Sequence, residues 1–223
     1  MAASRQIIDL RNLLAERFQH LPTLAGGQIS IPILDRATDG GLRKGAITEI
    51  ISANTSAGSG LLIHSLLQIA QRDQFFLALI DGRDSFDVQS VDSAALQHLL
   101  WVRCEKATEA IKAADFLLRD GNFPLVILDL VLNPAEELRR IPATSWYRLQ
   151  RLVEPAPTAF VVMSRHNMVP SARTKVILQN QWRLPDLSRD DPLRRLHFEV
   201  RRAKPIASAL AGVEAAVSAA AAG

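Results

Sequence analysis

Three features of the sequence predict an α/β fold built on a mostly parallel sheet. Short apolar runs recur along the chain: "ITEII" (47–51), "FFLALID" (75–81), "LLWVRC" (99–104), "LVILDLV" (125–131) and "TAFVVMS" (158–164). Each is too short for a helix and lacks the polar alternation of a half-exposed strand, so it reads as buried in a sheet. Segments of helical length and amphipathic pattern separate these runs, and strand–helix alternation stacks strands in parallel with helices on both faces. A chain of 223 residues, 48% of them hydrophobic, is long enough for one large domain of this kind or two small ones.

The elements follow in order. Residues 4–20 form an amphipathic helix, with Ser4 as N-cap and Ile7, Ile8, Leu10, Leu13, Leu14 and Phe18 on its apolar face. The turn-rich "LPTLAGGQ" follows, so residues 1–27 are expected to be a helical arm and linker. The arm either docks on a partner or folds back on its own core. The strand at 47–51 leads through the small-residue loop "SANTSAGSG" into a helix over Gly60–Arg72. That helix turns Leu62, Ile63, Leu66, Leu67 and Ala70 inward and His64, Gln68, Gln71 and Arg72 outward. A second helix spans Lys106–Arg119, with Gly121 placed to end it in the left-handed conformation. A third segment runs from Pro134 to Val153, broken near Pro142.

Beyond Ser164 the pattern changes. "RHNMVPSARTK" is polar and basic, and two β-like runs, "VILQNQWRL" and "LRRLHFEVRRA", flank the charged turn "PDLSRDDP". These predict a C-terminal antiparallel hairpin at the sheet edge. Residues 28–204 are expected to be the core domain. The alanine-rich stretch 205–223 has high helix propensity but little to bury, and is expected to be a frayed tail.

Composition excludes several classes. No apolar run reaches the roughly 18–20 residues of a membrane span, and the first twenty residues carry charges where a secretory signal has an apolar core. A single cysteine, Cys104, forbids an internal disulfide, and no Cys/His cluster has metal-ligand spacing. The expectation is a cytoplasmic protein without metal or other cofactor. The net charge of +3 is unevenly spread: residues 165–204 hold ten Lys/Arg against four Asp/Glu, or +6, which leaves −3 for the rest. A basic end on a mildly acidic body suits a polyanion or an acidic partner. Arg165, Arg173, Lys175, Arg194, Arg195, Arg201, Arg202 and Lys204 are the candidates for such contact, and the alternative is a solvated surface. Without interleaved aromatics, they favour phosphate contact over base stacking.

The strand–loop–helix at 47–72 has the outline of a nucleotide cradle. Such a loop works through glycines that let amides curl around phosphate, a lysine for the terminal phosphates and a hydroxyl for magnesium. Gly58 and Gly60 supply the turn, Ser56 and Ser59 supply hydroxyls, and the helix end supplies free amides. No Lys or Arg stands in the loop, so a triphosphate there would be weakly held.

In its wider context, the lead-in from Asp35 through "GGLRKGAITEI", then the loop and helix, then "ALIDGRDSFD" and "PLVILDL", resembles the RecA-type recombinase core. The resemblance spans roughly residues 28–204 and implies a twisted RecA-like sheet. On that template the loop is one residue longer, and Ser59 takes the lysine's place. Arg83 stands where the family has the glutamate that activates water, Ser164 where it has a phosphate-sensing glutamine, and Asp129 keeps the family's aspartate. Three losses in four positions imply no ATP hydrolysis.

The "LLWVRC" strand, the alanine-rich helix of 106–119, the "VILDL" strand (126–130) and the basic "VRRAK" end (200–204) are similar to the ImuA family of RecA-like mutagenesis accessory factors. That resemblance implies an adaptor that works with RecA, an error-prone DNA polymerase and its polymerase-like partner, with DNA phosphates as further candidate contacts. Two alternatives stand beside it. One is a cell-division inhibitor resembling SulA. The other is a residual ATPase whose lysine comes from another subunit or from Lys175.

Overall fold

The computed structural model describes residues 27–35, 40–54, 57–181 and 196–203. The expected arm, the loop residues Thr55 and Ser56, Trp182, Arg194, Arg195, Lys204 and the alanine-rich tail lie outside the described residues.

A small antiparallel hairpin opens this part of the chain, with β1 (Gln28–Ile29) against β2 (Leu42–Arg43) and a one-turn helix, α1 (Pro32–Asp35), between them. The main sheet then builds from β3 (Ala46–Ser52), β4 (Leu77–Asp81), β5 (Leu99–Arg103), β6 (Leu125–Asp129), β7 (Ala159–Ser164), β8 (Thr174–Leu178) and β9 (Phe198–Ala203). Their spatial order is β5-β4-β6-β7-β3-β8-β9. Every pairing in this sheet is parallel except that of β8 with β9. The C-terminal hairpin therefore forms at the sheet edge, as the two β-like runs predict.

The helices are α2 (Ser59–Arg72), α3 (Ser93–Leu96), α4 (Ala107–Asp120), α5 (Ala135–Arg139) and α6 (Ala143–Val153). The break between α5 and α6 falls at Pro142, which cannot donate the amide that helix continuation needs. Gly121 ends α4 with φ 69°, the left-handed conformation that glycine adopts without strain.

Helices cover both faces of the sheet. Leu62, Ile63, Leu66 and Ile69 of α2 pack with the hairpin residues Ile29 and Leu42 over the side that carries Ile50, Leu79, Ile127 and Val161. On the opposite side, Ala110, Ala114 and Leu117 of α4 and Trp146 and Leu149 of α6 cover Ile80, Val126, Leu128, Phe160 and Val162. Being sandwiched is why the central runs are apolar at successive positions rather than at alternate ones.

The link from β7 to β8 has no helix. Both strands run parallel to β3, so residues 165–173 carry the chain from one end of the sheet back to the other. Glu49, wholly buried in the middle of β3, holds this crossing segment. Its Oε1 accepts the Met168 and Val169 amides at 2.6 and 2.9 Å, and its Oε2 accepts the Lys175 ammonium at 2.5 Å.

Candidate functional site

The C-terminal ends of β3, β4, β6 and β7 come together where α2 begins. Gly58, at φ 102°, turns the chain from β3 into the helix. Ser59 is the first helical residue, one position before the start expected from sequence, and it is buried, whereas Gly60 is exposed. The Leu62 amide closes the first helical bond onto the Gly58 carbonyl at 3.0 Å. The amides before it have no partner within the helix, which is the arrangement that favours an anion.

Two aspartates lie side by side at the ends of β4 and β6, since Asp81 and Asp129 are register partners. Asp81 is buried and organises the loop after β4. Its Oδ2 accepts the amides of Ser85 and Phe86 at 2.7 and 2.8 Å and the Trp101 indole at 3.4 Å. Asp129 accepts the Val131 amide at 3.0 Å. Burial, partly opposed by that hydrogen bond and reinforced by the charge of Asp81, pushes the Asp129 carboxyl up to about 6. Asp129 thus holds the backbone of the loop that follows β6.

The other strand-end positions carry side chains tied to local groups. The Arg83 guanidinium donates to the Glu105 carbonyl at 2.8 Å and lies 3.9 Å from the Glu137 carboxylate. Its neighbour Asp84 takes a two-pronged bond from Arg103, 2.6 Å on each arm, and Arg103 also stacks 5.0 Å from the Trp101 ring. Glu137 accepts the Ala107 amide at the start of α4, and that bond holds its carboxyl below the usual range. Ser164 is wholly buried, and its hydroxyl donates to the His166 carbonyl at 2.7 Å. Arg165, the next residue, buries its Nε with no hydrogen-bond partner among the described residues.

The described basic residues of the C-terminal part lie at different places on the sheet. Arg165 follows β7 at the C-terminal ends of the strands, whereas Arg173 precedes β8 at the opposite edge. Arg201 is exposed on β9, 3.8 Å from Glu199. The backbone of Arg202 pairs with Lys175.

Lys175 corrects the expectation of a solvent-facing contact. Its ammonium is buried and donates to Glu49, to Asn167 Oδ1 at 2.5 Å and to the Val169 carbonyl at 2.7 Å. With three acceptors filled and a buried counter-charge, it is available neither to a DNA phosphate nor, in its own chain, to the phosphate loop. Trp146 is buried in the core and Tyr147 is exposed. Glu49 was the residue that pattern reading missed. The available signal was a lone carboxylate inside an otherwise apolar strand, which requires a buried partner.

Among the described residues no helix is long and apolar enough to cross a membrane, and no group of three or more His, Cys, Asp or Glu is placed to hold a metal.

Sheet order, edge hairpin and strand-to-helix loop define a RecA-like α/β protein. The curated relatives agree: the chain is 27% identical over 167 residues to Protein RecA of Desulfotalea psychrophila (strain LSv54 / DSM 12343), covering 72% of this chain and 46% of that one. It is 30% identical over 142 residues to Protein RecA of Chloroherpeton thalassium (strain ATCC 35110 / GB-78), covering 61% and 39%. Against Protein RecA of Clavibacter michiganensis subsp. michiganensis (strain NCPPB 382) the identity is 31% over 122 residues, covering 52% and 33%. The chain spans less than half the length of these relatives. No protein-family model matches it.

Proposed function

We propose that this chain is a non-catalytic RecA-like adaptor in damage-induced translesion mutagenesis, of the ImuA kind. It binds RecA and the components of an error-prone DNA polymerase, and it does not hydrolyse ATP. The observation that carries this reading is the state of three side chains at the C-terminal end of the sheet: Ser59 at the helix start, Arg83 tied to Glu105 and Glu137, and Ser164 bonded to His166. Ser59 carries no charge to hold a phosphate, Arg83 is no general base, and the Ser164 hydroxyl is already engaged. Asp129 alone, near a second carboxylate and drawn towards its protonated form, is a poor magnesium organiser.

The test pairs a nucleotide assay with a binding assay on the full chain. ATP with magnesium is expected to leave the melting temperature unchanged and to show no turnover above background. Turnover that Asp129→Ala abolishes would overturn the non-catalytic part. A pull-down against RecA and the error-prone polymerase with its polymerase-like partner is expected to capture at least one of them. Capture of neither overturns the adaptor part. Truncation to map the contact is restricted to residues 205–223, because β8 lies inside the sheet and its removal would destroy the fold.

A further inference from the structure

The start of α6, the crossing segment 165–173 and the edge strands β8 and β9 enclose a cavity of about 610 Å³. One side of it is apolar. Ile141 and Trp146 come from the turn before α6 and from its first turn, and Met168 and Pro170 from the crossing segment. Ile141 and Trp146 are buried against the core, whereas Ala143 and Pro170 are exposed at the mouth. Tyr147, half exposed, stands one turn after Ala143 on the same stripe of α6 and carries the apolar surface past the mouth.

The other side is polar, and its free groups are donors. Lys175 reaches the cavity with its charge already balanced by Glu49. Its ammonium also fixes the Asn167 amide, because Oδ1 takes that contact at 2.5 Å and leaves Nδ2 without a partner among the described residues. Arg201 arrives through an irregularity in β9. Lys175 pairs with Arg202 and Val176 with Val200, so Arg201 is one residue extra on its strand. Such a bulge re-aims a side chain: Phe198 and Val200 pack into the core beneath α2, while Arg201 lines the cavity. Its acidic neighbour Glu199 lies 3.8 Å away, and both side chains are more than half exposed, so the pair is too long and too wet to satisfy the guanidinium. No carboxylate lines the cavity.

We propose that this cavity receives a bulky apolar side chain from an acidic peptide segment of a protein partner, with a carboxylate of that segment bound by Arg201 and Asn167. A guanidinium takes a carboxylate two-pronged, and arginine, methionine and aromatic side chains are the types that protein interfaces concentrate. A phosphate backbone would meet Arg201 equally well but would leave the apolar wall unfilled, which favours a peptide. The inference rests on the adaptor reading for the kind of partner, a protein, and gives that reading a contact.

The test selects a random peptide library, displayed on phage, against the full chain, and measures a labelled synthetic copy of the recovered peptide by fluorescence anisotropy. The recovered peptides are expected to share a bulky apolar residue beside acidic ones. Arg201→Glu, which reverses the charge, and Ala143→Phe, which fills the mouth, should each weaken binding about tenfold or more. Lys112→Glu, the same charge change at an exposed position on α4, should leave binding unchanged. Arg201→Lys should keep most of the affinity. Neither Arg201→Glu nor Ala143→Phe should lower the melting temperature, since both positions are exposed. Recovery of no peptide, of peptides without acidic residues, or of peptides indifferent to both variants overturns the proposal. Three other outcomes overturn it by naming a different occupant. Competition by a single-stranded oligonucleotide that disappears in Arg201→Glu makes the site one for nucleic acid. Much tighter peptide binding by a chain ended after Ala203 makes residues 204–223 the occupant. A dimer on size exclusion that Ala143→Phe dissociates makes it a second copy of the chain. Peptide binding as expected, with neither RecA nor the polymerase captured, defeats the adaptor's named partners and leaves the pocket. Capture that Arg201→Glu and Ala143→Phe leave intact, with no peptide selected, defeats the pocket and leaves the adaptor.

Discussion

Glu49 and Lys175 are both buried, and each is satisfied only through the other and the segment between them. Glu49 accepts two amides of the crossing segment as well as the ammonium, so the pair joins β3, β8 and residues 167–169 in one network. Removing one partner leaves the other charge buried without compensation. Lys175→Met is therefore expected to cost about 3–5 kcal/mol, measured by denaturant unfolding, whereas adding Glu49→Gln to it should recover part of that loss. Asp129 makes a prediction about pH. Its carboxyl titrates at about 6 when folded against an ordinary 3.8, so the folded state holds the proton more tightly than the unfolded chain does. Its contribution is then present at low pH and is lost as pH rises from about 4 through about 6. Asp129→Asn should leave the Val131 bond in place, flatten stability between those values and raise it by about 1–3 kcal/mol at neutral pH. A steeper fall with pH in the variant would show that another group governs this range.

At the scale of elements, the ends of strands and helices follow from local chemistry. Gly121 closes α4 at φ 69° with no atom within 4 Å of where a β-carbon would stand. Gly121→Ala should thus cost about 1 kcal/mol through backbone strain alone, measurable as a lowered denaturant midpoint without a change of slope. The helix after the loop, the break at Pro142 and the strands around 47–51 and 125–131 were all legible in the sequence to within a residue or two, because each depends on residues a few positions apart. Glu49–Lys175 was not legible: its partners are 126 residues apart, and pattern alone leaves Lys175 among the surface cations.

For the molecule as a whole, the position of β3 is decisive. It lies between β7 and β8 and is buried along its entire length. A chain ended after Ser164 would expose β3 as a bare apolar edge, the kind of strand that recruits other chains. Such a truncation should elute as aggregate on size exclusion, whereas one ended after Ala203 keeps all seven strands and should elute as the full chain does. The same topology sets Arg165 and Arg173 at opposite ends of the strands.

The sequence by itself determined the class: alternating apolar and amphipathic segments encode a parallel sheet with helices on both faces, and the order of its motifs is that of RecA-like proteins. The residue types at Ser59, Arg83, Asp129 and Ser164 are likewise read directly. Only the tertiary structure decided which charges are buried and which are free. It withdrew Lys175 into the core and tied Arg83 to Glu105. The reason is physical: periodicity is a property of neighbouring residues, whereas the state of a charge depends on what distant parts of the chain bring within a few ångströms of it.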